Sequence, residues 1–230
     1  SLSAKAVWVK YKQNDGVVDF GWLGGVWPWF DVDFILESFI RFSEKGGCPA
    51  RLHFFGVDGA KKDEMLRVIN RVKPGFESIY FHPWVNYSER FSVWQGIDCA
   101  VVWSSGGLEN DYASRTRNFD CITLGIPVIQ NEDSFWGSII TLNEAGIVVS
   151  NGSELEQSFL AMSDAGFRAR AASNISVLQE RFKWSKIAED YLSVFYEGKR
   201  SVSVSGIFMG LIVYPLVLFN LILVGGDGDD

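Results

Sequence analysis

The segment Ile97-Asp98-Cys99-Ala100-Val101-Val102-Trp103 is apolar at every position except Asp98. A strand with one wet face alternates apolar and polar residues, and this run does not. It therefore predicts a central strand covered on both faces, the situation of a parallel sheet in an α/β protein. The flanking sequence supplies matching elements. Strand-like runs lie at 17–22, 52–55, 78–81, 126–129 and 146–149, and they alternate with helix-like stretches at 33–42, 61–72, 88–95, 114–124 and 134–144. Gly56 and Pro74-Gly75 supply stop signals, and Ser88 is a candidate N-cap. Helical patterns at 153–162, 167–182 and 185–196 close the chain. Strands separated by helices of about 10–15 residues predict βαβ units, here a Rossmann-like, doubly wound parallel sheet of about six strands. Ligands of such sheets sit at the carboxyl ends of strands, in the loops after Trp22, Phe55, Phe81 and Trp103.

Charge and composition narrow the function. The formal charge is −7, which argues against a duplex nucleic-acid binder because that class needs a basic field. Two or three positioned cations still suffice for a phosphorylated small molecule. Aromatic residues make up 15% of the chain, with 9 Trp and 18 Phe, enough for a thick core and some exposed flat surfaces. Cys48, Cys99 and Cys121 share no close spacing, and two of them fall in apolar runs. They read as free thiols in a reducing, cytoplasmic compartment. No metal-ligand cluster is apparent in the sequence.

The ends differ from the middle. Residues 1–13 lack the apolar core of a signal peptide, and residues 1–14 read as a linker from a preceding domain. Residues 206–226 carry no charge, with Lys199 and Arg200 before them and Asp227, Asp229 and Asp230 after. That length is about the minimum for a bilayer span, and the flanking charges would leave the domain in the cytoplasm. A buried strand pair or a disordered tail are the other readings. The expected organisation is a linker at 1–14, a domain at 15–198 and a hydrophobic tail at 199–230 with possible membrane contact.

Four ordered stretches carry more specific information. They are the loop Gly21-Trp22-Leu23-Gly24-Gly25-Val26-Trp27-Pro28-Trp29-Phe30-Asp31; the segment Phe81-His82-Pro83-Trp84-Val85-Asn86-Tyr87-Ser88-Glu89-Arg90; the segment from Glu109 through Tyr112, Ser114, Arg115, Thr116 and Arg117; and Asp120 through Gly125-Ile126-Pro127-Val128. In this order they resemble the carboxyl-terminal, donor-binding domain of retaining GT-B glycosyltransferases of family 4, in the bacterial surface-polysaccharide branch. The resemblance covers roughly residues 17–196.

It implies one half of a GT-B fold that binds a nucleoside-diphosphate sugar, UDP- or GDP-linked, as substrate. It implies no cofactor and no bound metal. Acceptor recognition would belong to an amino-terminal domain missing from this chain, so the isolated fragment would bind donor without turning it over. Localisation would be cytoplasmic, peripheral to or anchored at the inner membrane, in the synthesis of lipopolysaccharide or another surface glycan.

Residue by residue, Gly24 and Gly25 would let backbone approach a diphosphate closely, although a simple tight turn explains the pair equally. Trp84 and Val85 are implied base contacts. Asp120 stands where the resemblance places the carboxylate that accepts the ribose hydroxyls. Eight positions earlier, where the pattern has a sugar-binding acid, this chain has Tyr112, which leaves Glu109 as the nearest upstream acid.

Ser114, Arg115, Thr116 and Arg117 begin a predicted helix, whose free amides and positive dipole end make an anion site. Arg115 and Arg117 are two apart and cannot both face one ligand on a regular helix. The resemblance also implies an Arg and a Lys after the first strand, where this chain has Gly25 and Phe30, so Arg115 or Arg117 is expected to supply the missing charge. His53 and His82 are expected to be structural. Trp27 and Trp29 are open between cleft lining and core. The competing functions are a nucleotide-sugar epimerase half-domain, which would need acid–base side chains in the cleft, and a non-catalytic nucleotide-sugar-binding or interaction module. A dehydrogenase-type dinucleotide site is disfavoured because no Gly-x-Gly-x-x-Gly follows the first strand.

Overall fold

The structure is a computed structural model describing residues 16–196 except 47, 105–106, 109–111 and 133–134. The chain divides into two compact units, Ser1–Gln179 and Glu180–Asp230. The sheet belongs to the first unit. The second contributes one described helix, which spans Trp184–Tyr196. The expected tail at 199–230 and the expected linker at 1–14 lie outside the described residues.

Six strands form one parallel sheet: β1 (Val18–Trp22), β2 (Ala50–Phe55), β3 (Ile79–His82), β4 (Cys99–Val102), β5 (Val128–Asn131) and β6 (Gly146–Val149). Their spatial order is β3-β2-β1-β4-β5-β6, so the sequence order reverses between β1 and β4. This is the doubly wound order of a Rossmann-like fold, and the reversal opens a crevice at the carboxyl ends of β1 and β4.

Helices cover both faces. They are α1 (Val32–Glu44), α2 (Gly59–Val72), the short α3 (Arg90–Trp94), α4 (Thr116–Leu124), α5 (Trp136–Leu142), α6 (Gly152–Met162) and α7 (Ala165–Arg181). On one face Phe20, Trp22, Leu52 and Phe54 point at Ile35, Leu36 and Phe39 of α1 and Leu155 and Phe159 of α6, all fully buried. Phe20 and Phe159 meet edge to face with centroids 5.0 Å apart, and Phe39 meets Phe159 at 5.3 Å. Such ring pairs add stabilisation beyond the area they bury.

Local chemistry explains the helix ends. Asp31, the last residue of the loop after β1, caps α1 by accepting a bond from the Phe34 amide. Asn151 caps α6 through the Glu154 amide, and Gly125 ends α4 with a left-handed φ of 70°.

Three expectations need correction. The segment 88–95 is a 3-10 turn at Tyr87–Glu89 followed by only five helical residues, and Ser88 caps nothing. The stretch 114–124 becomes helical only at Thr116, because Arg115 has an extended backbone (φ −62°, ψ 102°). Ser114 is therefore two residues outside the helix it was expected to start. The apolar run 97–103 is a strand only over Cys99–Val102; on its amino side the Asp98 carboxylate accepts the Asp19 amide at 2.9 Å.

Candidate functional site

A cleft of about 320 Å³ opens at the carboxyl edge of the sheet, within the size range of small-molecule sites. Its wall is built by Leu23 to Gly25 and Trp27 after β1, Phe55 and Gly56 at the end of β2, Trp84, Val85, Tyr87, Arg90 and Trp94 after β3, and Thr116, Arg117 and Asp120 of α4. Sequence segments far apart thus meet at the topological switch point.

Arg117 lies on the cleft wall. Its guanidinium is packed between aromatic faces, 4.2 Å from the Trp22 ring centroid and 4.6 Å from that of Phe30. Nη2 donates to the Gly25 carbonyl at 3.3 Å, an oxygen that also accepts from Trp22 Nε1. Nη1 is buried and has no hydrogen-bond partner. Burial, with the Arg115 charge as a lesser cause, pulls the Arg117 pKa down to about 10, so the group stays charged at neutral pH. A buried cationic N–H without an acceptor is costly.

Arg115 points elsewhere. It is buried, and its Nη2 donates to Ser104 Oγ at 2.9 Å behind the cleft wall. Of the two arginines, Arg117 reaches the cleft and Arg115 does not. Ser114 is not on the wall either, because the helix starts later than its sequence suggests. Thr116 and Arg117, whose first-turn amides have no intrahelical partner, are on it.

Asp120 faces the cleft one turn into α4. Burial raises its pKa, opposed by Arg90 and then Arg117. Arg90 Nε binds Oδ1 at 3.2 Å. The sequence did not single out Arg90. The available signal was the spacing of Tyr87 and Arg90, three apart, which lets the guanidinium sit 3.6 Å from the Tyr87 ring centroid.

The glycines play different parts. Gly24 has φ 112°, which a side chain would strain, and a Cβ there would lie 3.9 Å from Arg117 Nη2. Gly25 was expected to leave room for a diphosphate, but its open side is filled by protein: a Cβ would lie 2.9 Å from Trp84 Cζ3. Gly56 meets the same ring, at 2.8 Å from Cε3. Trp84 therefore lies across two glycines as a flat platform that is 62% exposed, beside partly buried Val85. Trp27 and Trp29 stack on each other with centroids 5.9 Å apart and stand half-exposed at the mouth, not in the core.

The two histidines are buried and joined. His53 Nδ1 lies 2.9 Å from His82 Nε2, and His53 Nε2 lies 3.0 Å from Asp19 Oδ1, which also accepts from Arg51 Nε at 2.6 Å. They knit β1, β2 and β3 together away from the cleft wall. Glu109 lies outside the described residues, and Tyr112 is exposed. Among the described residues no cluster of His, Cys, Asp and Glu could hold a metal, and no helix is long and apolar enough to cross a membrane. The three cysteines are free, with Cys99 and Cys121 buried.

No protein-family model matches the chain, and no curated protein matches it in sequence. Solved structures do match in fold. WaaG, a glycosyltransferase involved in lipopolysaccharide biosynthesis, superposes over 83% of this chain with a TM-score of 0.64 at 15% identity. The C-terminal domain of the group 1 glycosyl transferase LpcC from Francisella tularensis superposes over 80% of this chain and 95% of its own length (TM-score 0.62, 16% identity). The fold is that of a GT-B glycosyltransferase half. Anabaena HepE, solved in complex with UDP-glucose, matches over 86% of this chain with a TM-score of 0.63 at 15% identity. This GT-B half spans about half the length of its larger neighbours, 50% of WaaG and 53% of HepE.

Proposed function

We propose that the cleft binds a nucleoside-diphosphate sugar, UDP- or GDP-linked, and that the chain is the donor-binding half of a glycosyltransferase acting with retention in surface-glycan synthesis. The observation that carries this reading is the Arg117 guanidinium, buried at the cleft with one N–H group lacking an acceptor. It takes the diphosphate, with the Thr116 and Arg117 amides at the positive end of α4. As the sugar–phosphate bond breaks, negative charge grows on the leaving diphosphate, and fixed donors of this kind stabilise it.

Asp120 accepts the ribose hydroxyls, and Trp84 with Val85 walls the base. Glu109 is the candidate acid for the donor sugar. The similarity in fold to WaaG, and to HepE bound to UDP-glucose, supports the class of reaction and of donor. The epimerase reading gains nothing from the cleft, because neither histidine lines it.

Trp27, Trp84 and Trp94 line the cleft, so intrinsic fluorescence reports occupancy. Titration with UDP, GDP, ADP and CMP is expected to give saturable quenching with UDP or GDP and much weaker binding of CMP, which lacks a second phosphate. Asp120→Asn removes the charged acceptor and is expected to weaken the bound nucleotide by about tenfold. Absence of binding by all four nucleotides, or an Asp120→Asn variant as tight as the parent, refutes the reading.

A further inference from the structure

We propose that Arg90 is a positioning residue for ribose recognition: by pinning Asp120 Oδ1 it holds the carboxylate with Oδ2 presented to the nucleotide's vicinal hydroxyls, without touching the nucleotide itself. The proposal rests on the nucleotide reading of the cleft and deepens it.

Arg90 is held far more tightly than an exposed arginine would be. Nε donates to Asp120 Oδ1 at 3.2 Å and Nη1 to the Tyr87 carbonyl at 2.7 Å. Its guanidinium lies 3.6 Å from the Tyr87 ring centroid and 4.0 Å from that of Phe91. The 3-10 turn and the five-residue α3 serve as the scaffold for this one side chain. Arrested on four sides, the guanidinium has little rotamer freedom left to lose.

Asp120 is the complementary half. Among the described residues its Oδ1 accepts only from Arg90, and its Oδ2 accepts nothing. A carboxylate has about four acceptor sites, so three are left unused by protein donors among the described residues. Pinning one oxygen sets the plane of the group, and a ribose diol needs a fixed carboxylate plane. The charged and titratable groups facing Asp120 are Arg90 from the β3 side, Arg117 and the Cys121 thiol from its own helix, and the Tyr87 phenol on the cleft wall. Arg90 opposes the effect of burial on the carboxylate more than Arg117 does, so it also favours the charged form of the acceptor.

The test uses the 230-residue chain and calorimetric titration with UDP, 2′-deoxy-UDP, GDP and 2′-deoxy-GDP between pH 5 and 8. For whichever base binds, the parent is expected to favour the ribonucleotide over its deoxy analogue by about tenfold, the value of one charged hydrogen bond. In Arg90→Met the ratio is expected to fall to near one, with the deoxynucleotide, which keeps its 3′-hydroxyl, weakened less than the ribonucleotide. The acid loss of ribonucleotide binding is expected to move to higher pH, and Arg90→Lys to recover part of the ratio. Should Arg90→Met fail to fold, Tyr87→Ala, which removes an exposed ring against the guanidinium, is expected to lower the ratio in the same sense. An unchanged ratio, or equal weakening of ribo- and deoxynucleotide, overturns the proposal. Failure of the parent to bind any ribonucleotide overturns the cleft reading and this proposal together.

Discussion

Arg115 and Arg117, two positions apart, face different parts of the molecule because the chain enters α4 between them. Arg115, still extended, donates to Ser104 in the interior, while Arg117, in the first turn, reaches the cleft with an unsatisfied N–H. This division gives opposite expectations for the same substitution. Arg115→Met removes a charge-assisted hydrogen bond, costing about 1.5–3 kcal/mol, so melting is expected several degrees lower with nucleotide affinity retained. Arg117→Met replaces a buried, incompletely paired cation with an apolar chain of similar length, which is often neutral or stabilising. Its melting point is expected to hold or rise while UDP or GDP binding weakens by about tenfold or more. Thermal melts and titrations on both variants check the assignment; the reverse pairing of effects would move the anion contact to Arg115.

At the scale of elements, the sheet was legible because its strands carry the simplest signals, apolar runs between turn residues; β6 occupies the segment its sequence suggested. The entries to α3 and α4 were not legible. Both depend on where one backbone leaves the extended region, at Asn86 and Arg115, and that is decided by tertiary contacts of Arg90 and Arg115 that no local pattern encodes. The same limit hid Arg90, whose partner Asp120 is thirty residues away, and the role of Gly25, whose neighbour Trp84 comes from the loop after another strand.

The buried link across β1, β2 and β3 also belongs to this scale. Burial, with His53 as a second cause, pulls the His82 pKa down to about 3, against an ordinary value near 6.5. Between these values the unfolded chain binds a proton that the folded one refuses, so stability falls as pH drops from about 6.5 toward 3. The slope is about 1.4 kcal/mol per pH unit. Asp19 adds to this in acid: bonded to His53 and Arg51, its pKa is held below the ordinary carboxylate value although burial pushes the other way. That contribution is lost only as pH falls through its lowered value. Urea unfolding at pH 7, 6, 5 and 4 is expected to show the slope, flattened by one proton in His82→Phe, which should be less stable at every pH. Parallel curves for parent and variant would place the titrating group elsewhere.

At the scale of the molecule, the order β3-β2-β1-β4-β5-β6 puts the residues that line the cleft at one reversal point. Sequence patterns far apart, the glycine loop after β1, the tryptophan after β3 and the start of α4, become neighbours only through that crossover. The neighbours in fold WaaG and HepE are about twice as long. On the proposed reading, this half holds the donor nucleotide. The most direct measurement is a solved structure of the chain soaked or co-crystallised with UDP or GDP. The account predicts the diphosphate within hydrogen-bond distance of Arg117 Nη1 and the Thr116 and Arg117 amides, the ribose on Asp120 and the base beside Trp84. A nucleotide bound elsewhere, or a diphosphate in this cleft turned away from Arg117, would contradict it.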